Sequence, residues 1–161
     1  MSRLRALALI AAAATYALIV LGAWVRITGS GMGCGDHWPL CNGRLIPSLS
    51  DLPTLIEWSH RLAALTVSVL VLGLAGYALF YGRTSMPGAG ARVRPALLAA
   101  LLLVAQVLLG AVTVWLELPP VVVTLHLAAA LALLAALLIT AFRASPSTPE
   151  AASAPARRAT L

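Results

Sequence analysis

Four long hydrophobic stretches, separated by polar segments, set the pattern of this chain. None contains a formally charged residue, and they cover residues 6–25, 62–82, 95–116 and 118–142. A helix needs roughly 18 to 20 apolar residues to cross a ~30 Å hydrocarbon core, and each stretch is that long. With the adjoining turns, the pattern predicts transmembrane helices over about residues 6–25, 54–82, 95–116 and 120–142.

Composition supports a membrane protein. Hydrophobic residues make up 61% of the 161 residues and charged residues only 10%, which is too little polar surface for a soluble globule. We therefore predict an all-α integral membrane four-helix bundle in residues 1–143. Residues 144–161 are rich in Pro, Ala and Ser, and we expect a disordered cytoplasmic tail. Arg3 and Arg5 precede an apolar run as in a signal peptide, but its length and the polar loop after it favour a retained span.

The positions of the arginines predict the orientation in the cell membrane. All eleven basic residues are Arg, and most lie before the first span, in the second loop or after the fourth span. The first loop carries only Arg26 and Arg44, and the third carries none. The positive-inside rule therefore predicts cytoplasmic termini and an extracytoplasmic loop over residues 26–53. The net charge of +6 is then a topology signal, so membrane lipid and not nucleic acid is the expected partner.

The first loop contains the two cysteines of the chain, Cys34 and Cys41. In an oxidising extracytoplasmic compartment such a pair persists as a disulfide, so a structural bridge is expected. A redox-active, reducible bridge is the alternative, although C-x6-C lacks the close C-x-x-C geometry of thiol oxidoreductases. His37, between the two cysteines, is expected to be an ordinary loop residue.

Two histidines lie a few residues inside the same end of two hydrophobic helices, His60 in the second span and His126 in the fourth. An imidazole is costly to bury in lipid, so a pair at similar depth predicts a shared ligand. Haem iron between two helices suits two neutral imidazoles, and we expect His60 and His126 to be facing metal ligands. Glu57 shares the helix face of His60, while Arg61, with Arg26 as a second candidate, is placed to bind haem propionates. The structural alternative is a Glu57–Arg61 ion pair in the headgroup region.

Two further groups of polar residues have candidate roles. Asp51 or Thr54 is a candidate cap for the second helix. On the third span, Gln106, Gly110 and Thr113 are spaced by four and three residues and share a stripe. Residues on such a stripe usually pack helices together, which we expect for Gly110 and Thr113. Gln106 either packs in the same way or binds the cofactor.

Four motifs, in order, resemble those of the haem A synthase family, and the resemblance runs from residue 22 to about residue 130. They read VRITGSGMGCGDHWPLCNGRLIP in the first loop, IEWSHR in the second span, Q-x3-G-x2-T-V in the third and TLH in the fourth. E-x-x-H-R alone is a weak signal, but four motifs on the same four spans are specific. The resemblance implies His60 and His126 as axial haem ligands, Glu57 as the catalytic carboxylate, and Cys34 with Cys41 as the extracytoplasmic cysteine pair.

The reaction implied by this resemblance is oxidation of the C8 methyl group of haem O to the formyl group of haem A, during assembly of cytochrome oxidase. Haem O is then the substrate, haem b is a further bound form, and haem O synthase with an external electron acceptor are the implied partners. Members of the family usually carry two tandem four-helix halves with two histidine pairs, whereas this sequence has one pair. We therefore expect one site that alternates between roles or, preferably, a homo-oligomer.

Two other classes of protein remain open. A non-catalytic b-type cytochrome needs both histidines but not Glu57. A quinone-linked thiol oxidoreductase would use the outward cysteines, but such enzymes generally need two cysteine pairs and this sequence has one. The extracted pigment separates the three classes: haem O or haem A indicates the synthase, haem B alone the cytochrome, and no haem the thiol enzyme.

Overall fold

The computed structural model describes residues 2–48, 50–81 and 89–144, with side chains from residue 93 onward in the last range. Its helices are α1 (Arg3–Ile27), α2 (Leu52–Tyr81), α3 (Ala89–Trp115) and α4 (Pro120–Arg143). The predicted all-α fold is confirmed, and the described residues form no strand. Each helix is long and apolar enough to cross a membrane.

The helices extend beyond the hydrophobic stretches that predict them. α1 begins at Arg3, where the Ser2 hydroxyl accepts a hydrogen bond from the Arg5 backbone N–H at 3.3 Å. α3 begins at Ala89, upstream of the predicted start at Pro95. The apolar stretch corresponds to the part of each helix that can lie in the hydrocarbon core. The helix can continue beyond it, because the backbone hydrogen bonds of a helix also form where its side chains are polar and face water.

The bundle is a ring of four helices. α1 packs against α2 and α4, and α3 packs against the same two neighbours. Within the described residues no contact joins α2 to α4 or α1 to α3, so each of these pairs is diagonal. A side chain of α2 and one of α4 therefore meet only where both point into the centre of the bundle.

The hydrophobic core fills the half of the bundle that holds the start of α1 and the end of α4. There the Ser2 hydroxyl donates a hydrogen bond to the Ala144 carbonyl at 2.8 Å. Small and large apolar side chains interlock in this half, among them Ala8, Ala11, Leu74, Ala99 and Leu137. Among the described residues the buried core cluster ends at Val67 on α2, Leu103 on α3 and Leu133 on α4.

The opposite half, which we call the loop end, carries the first loop (residues 28–51) and the short α3–α4 turn (residues 116–119). The first loop covers this end of the bundle. Trp38 meets Trp115 of α3 edge to face, with 6.0 Å between ring centroids. Gly31 lies so close to Leu118 that a Cβ would come within 2.8 Å of its side chain. Residues 145–161 of the predicted tail (144–161) and residues 82–88 of the second loop lie outside the described residues, whereas residues 89–94 belong to α3.

Candidate functional site

His60 and His126 lie at the loop end, on the two diagonal helices α2 and α4. Their positions are about 12 Å and 9 Å from the starts of these helices. In the described part of the chain α2 and α4 do not touch, and each ring packs against a neighbouring helix, His60 against α1 and His126 against α3. The buried core begins about 10 Å deeper on each helix, at Val67 and Leu133.

Neither imidazole makes a hydrogen bond within the described part of the chain. Nδ1 of His60 and Nδ1 of His126 are both buried, and both lack a partner. A buried polar atom without a hydrogen bond costs about 1 to 3 kcal/mol. Two such atoms at the same end of one bundle favour a ligand-binding role over a purely structural one.

A glycine on the neighbouring helix faces each histidine. A Cβ at Gly22 of α1 would lie 3.1 Å from Cε1 of His60, and a Cβ at Gly110 of α3 would lie 3.5 Å from Cε1 of His126. The missing side chains let each ring lie directly against a helix backbone. The stripe on α3 predicts a helix-packing role for Gly110, and in the structure Gly110 lies against the ring of His126 on the neighbouring helix α4.

Gly22 is a site residue that the sequence analysis missed, although a repeated signal identifies it. The tripeptide Leu-Gly-Ala occurs at residues 21–23 and again at residues 109–111. Pro53 and Pro119 each precede a site histidine by seven residues. The α1–α2 and α3–α4 pairs therefore present the same elements, with a glycine on the first helix and a histidine on the second.

Glu57 of α2 is buried beneath the first loop. Its Oε2 accepts a hydrogen bond from the Cys34 backbone N–H at 2.7 Å, and its Oε1 accepts from Arg61 Nε at 3.1 Å and from Nη2. Nη1 of Arg61 donates to the carbonyl oxygens of His37 and Leu40, both at 2.8 Å. The predicted Glu57–Arg61 ion pair is therefore present, and it binds the first loop to α2.

The two candidate arginines of the site differ in how far they are already bound. Arg61 uses four of its five N–H groups on Glu57 and on loop carbonyls, which leaves one. Arg26 is exposed and makes no ion pair with another described residue. It lies one turn beyond Gly22 on α1, so it is the better placed of the two to meet an additional anion.

The predicted disulfide closes the first loop. Cys34 and Cys41 are both buried and are bonded, with 4.4 Å between their Cα atoms. Gly33 lies against the first turn of α2, where a Cβ would come within 2.4 Å of backbone. Its carbonyl accepts a hydrogen bond from the Thr54 hydroxyl at 2.7 Å. The bridged loop is therefore fixed to α2 directly beside Glu57.

Two smaller predictions about this loop are confirmed. Asp51 caps α2, since its carboxylate accepts from the Thr54 hydroxyl at 2.7 Å and from the Thr54 backbone N–H at 3.0 Å. These two hydrogen bonds, the hydroxyl first, lower the pKa of Asp51. His37 is an exposed loop residue whose ring lies 3.3 Å from the Asp36 carboxylate.

Gln106 and Thr113 share a stripe of α3 but make different contacts. Thr113 is buried, and its hydroxyl donates to the Leu109 carbonyl of its own helix at 2.7 Å, as a packing residue does. Gln106 is also buried, but its Nε2 donates to the backbone carbonyl of His126 on α4 at 2.8 Å. Its Oε1 is buried without a partner. Gln106 therefore belongs to the histidine site.

The donor set of this site suits haem better than a bare metal ion. Among the described residues no group of three or more His, Cys, Asp or Glu side chains converges. Zinc sites use three or four protein ligands, so two imidazoles alone are insufficient. Haem iron needs only two axial ligands because the macrocycle supplies the others. Two unpaired imidazoles on diagonal helices of a bundle fit that requirement.

Fold and site together define a multi-pass membrane protein with a paired-histidine site inside a four-helix bundle. Residues 5–161 match the family model COX15-CtaA, described as cytochrome oxidase assembly protein. The chain belongs to this family. The predicted resemblance to haem A synthases is also confirmed, because relatives of that name match the sequence.

Three relatives show the extent of the similarity. Heme A synthase of Bacillus licheniformis is 51% identical over 72 residues, which are 45% of this chain and 24% of that protein. Heme A synthase of Bacillus cereus is 43% identical over 111 residues, 65% of this chain and 33% of that protein. Protoheme IX farnesyltransferase of Thermus thermophilus is 40% identical over 141 residues, 81% of this chain and 22% of that protein. The chain thus spans about a third or less of each relative, and no solved structure matches it.

Proposed function

We propose that this chain is a haem A synthase-type membrane oxidoreductase, which oxidises the C8 methyl group of haem O to the formyl group of haem A. The observation that carries the proposal is the pair of unpartnered imidazoles on diagonal helices, at the end where the hydrophobic core stops. Membership of the family supports the reaction, because relatives of this sequence bear the name heme A synthase.

In this proposal His60 and His126 hold the haem iron, and the bound iron supplies the redox chemistry. Gly22 and Gly110 leave room beside the two rings. Arg26, together with the remaining N–H of Arg61, binds the propionates through charge-assisted hydrogen bonds. The carboxylates of the ligand thus meet guanidinium groups at the loop end instead of lipid.

Glu57 is the proposed catalytic carboxylate. Conversion of a methyl group to a formyl group takes up the oxygen atom of one water molecule and releases four protons and four electrons, and a positioned carboxylate accepts protons as they leave. Its negative charge also stabilises positive charge that develops on the carbon being oxidised. The hydrogen bonds from Cys34 and Arg61 fix the orientation of the carboxylate on the helix face that it shares with His60.

The electrons removed from the methyl group must leave for an acceptor. We assign a structural role to the Cys34–Cys41 disulfide, because both cysteines are buried and the loop they close anchors Glu57. An external electron acceptor then takes the electrons. A thiol oxidoreductase is not favoured, since a reactive cysteine pair must be accessible to its partners.

The charge distribution and the sequence support proposals about the orientation of the site in the membrane and about its protein partners. The arginine distribution supports cytoplasmic termini and an extracytoplasmic loop end. Because the sequence has one histidine pair, we propose a homo-oligomer that brings several sites together. Similarity to a segment of a protein named protoheme IX farnesyltransferase supports haem O synthase as a partner, since farnesylation of protohaem yields haem O.

A non-catalytic b-type cytochrome is the second candidate. It uses the same imidazoles, and it is favoured by one observation: both oxygens of Glu57 are already engaged in holding the first loop. In that case Glu57 acts only as an anchor.

The deciding experiment is to purify the protein from cells that supply haem O and to identify the extracted pigment by mass. We expect haem O and haem A, with haem A accumulating when an electron acceptor is added. Haem B alone, with no conversion of added haem O, indicates the cytochrome. A preparation that binds no haem contradicts both candidates.

Gly22→Ala tests whether the ring of His60 depends on its contact with α1. A Cβ at 3.1 Å from Cε1 must shift the imidazole by a few tenths of an ångström, so we expect about a tenfold loss in haem B affinity, with altered electron paramagnetic resonance g-values. Gly73→Ala on α2 is the matched control, because a Cβ there meets open space. Gly110→Ala, at 3.5 Å, should have the smaller effect of the two site variants. Equal binding by Gly22→Ala and Gly73→Ala would contradict this contact.

Replacing both Cys34 and Cys41 with Ser tests the structural role of the disulfide. A closed loop of this length, with a sequence separation of 7, stabilises the fold by about 2.5 kcal/mol in the chain-entropy estimate. We expect a lower thermal unfolding midpoint in detergent but an unchanged haem content per folded chain, since neither cysteine is an iron ligand. Loss of haem from a double variant that remains folded would show that the cysteines take part in binding.

A further inference from the structure

The amide of Gln106 has a fixed orientation. Its Nε2 lies 2.8 Å from the backbone carbonyl oxygen of His126. A carbonyl oxygen can only accept a hydrogen bond, so the NH2 group must face His126 and Oε1 must point elsewhere. Oε1 is buried and has no partner within the described residues. A strong acceptor is therefore held next to a proposed iron ligand without a donor.

The ring of His126 lacks a hydrogen-bond acceptor among the described residues. A metal-binding histidine almost always donates the N–H of its other ring nitrogen to a carboxylate, a carbonyl or water. Nδ1 of His126 is buried and has no such acceptor. The two atoms of an amide group are about 2.3 Å apart, so Oε1 of Gln106 lies within about 5 Å of the His126 backbone oxygen. An unpaired donor and an unpaired acceptor thus belong to the same residue pair.

We propose that Gln106 is a positioning residue for His126: when iron binds to Nε2, the Nδ1–H group donates to Oε1 of Gln106. This inference rests on the proposed haem site. The hydrogen bond fixes the rotation of the imidazole and makes it a stronger electron donor to the iron. Because Nε2 of Gln106 is bound to the backbone of the same histidine, the amide is held in a fixed place relative to the His126 main chain.

The partnership applies to one of the two histidines. On α1, the residue one turn before Gly22 corresponds to Gln106 on α3, and it is Leu18. Leu18 is partly buried against the hydrophobic core and offers no acceptor. The two axial ligands are therefore unequal, and His126 is the stronger donor.

The test uses the full chain, purified in detergent and reconstituted with haem B. The redox midpoint and the electron paramagnetic resonance spectrum are recorded at equal haem loading for wild type and Gln106→Met. The hydrogen bond favours ferric iron, so its loss should shift the ferric–ferrous equilibrium about tenfold toward ferrous, which is about 59 mV for one electron. Leu18→Met is the matched control on α1, and it should leave both readouts unchanged.

Gln106→Glu provides the conservative rescue. A buried carboxyl group that faces the His126 carbonyl keeps its proton, because burial and the facing carbonyl oxygen both disfavour the charged form. The protonated acid then donates to the backbone and keeps one oxygen for Nδ1–H, so its midpoint should stay within about threefold of wild type in equilibrium terms. If Gln106→Met does not fold, Gln106→Asn replaces it with the same expectation, since its amide is one methylene shorter.

The outcomes separate this inference from the proposed function. If wild type binds no haem, or if His126→Ala keeps the wild-type spectrum, both are overturned. If haem binds through His126 but Gln106→Met keeps the wild-type midpoint and spectrum, only the role of Gln106 is wrong. The role of Gln106 is also wrong if Gln106→Met loses the preference for haem O over haem B while its midpoint is unchanged. In that case the amide binds the hydroxyl group of haem O instead of His126.

Discussion

Replacing His126 with alanine is expected to abolish the low-spin, six-coordinate haem spectrum, and His60→Ala should do the same. Each substitution removes one of two axial ligands, so any haem that remains is five-coordinate. We expect haem B affinity to fall by about 100-fold or more, beyond the 10- to 100-fold losses typical when a group that only supports a metal ligand is removed. Titration of haem B into the purified protein, followed by absorption, measures both effects.

The chain supplies a matched control for this experiment in His37. It is an exposed loop residue beside Asp36, and the removal of its side chain should leave the haem spectrum and affinity unchanged. Neither His60 nor His126 makes a hydrogen bond through its ring in the described structure, so alanine leaves no partner unsatisfied and the variants should fold. A His126→Ala protein with wild-type spectrum and affinity would place the haem elsewhere and remove the basis of the proposed function.

The helices and the histidine pair were accessible from the sequence because each rests on a local signal. Uninterrupted apolar length predicts a membrane-spanning helix, and an imidazole inside such a helix is conspicuous. Which helices pack against each other is not indicated by any local sequence signal. The diagonal arrangement of α2 and α4, the helices that carry His60 and His126, depends on how all four helices pack. Gly22 was missed for the same reason, since a glycine reveals its function only through the ring that lies against it.

The environment of Glu57 was less predictable still. Glu57 accepts a hydrogen bond from the backbone N–H of Cys34, which is 23 residues away in sequence. Every residue except proline carries such a donor, so no side-chain pattern identifies it. The same holds for the loop carbonyls that bind Arg61. Sequence spacing placed Glu57 beside His60, but only the folded loop shows that it also anchors the disulfide-bridged segment.

Glu57→Gln is expected to reduce haem A formation by roughly 100-fold or more, a typical loss when a positioned acid or base is removed, while the haem and its spectrum remain. Glutamine has nearly the same shape, but it can neither accept a proton nor supply negative charge at the site of oxidation. The comparison requires equal protein and equal haem loading, with the conversion of haem O followed by mass. If the Gln variant converts haem O at the wild-type rate, Glu57 is no catalytic residue and the b-type cytochrome becomes the better description.

Because Glu57 also holds the first loop, the experiment needs a variant that loosens the loop but keeps the carboxylate. Arg61→Lys serves this purpose, since a lysine cannot reproduce the planar fork that binds Glu57 together with the carbonyls of His37 and Leu40. Glu57→Gln also leaves an amide NH2 facing Arg61 or the Cys34 N–H, so both variants weaken the same anchor. Arg61 is also a proposed propionate ligand, so the variants are compared at equal haem loading. A catalytic carboxylate then predicts a far smaller loss of haem A formation in Arg61→Lys than in Glu57→Gln. Equal losses in the two variants, together with equal falls in thermal stability, would mean that Glu57 contributes to the reaction only by positioning the loop.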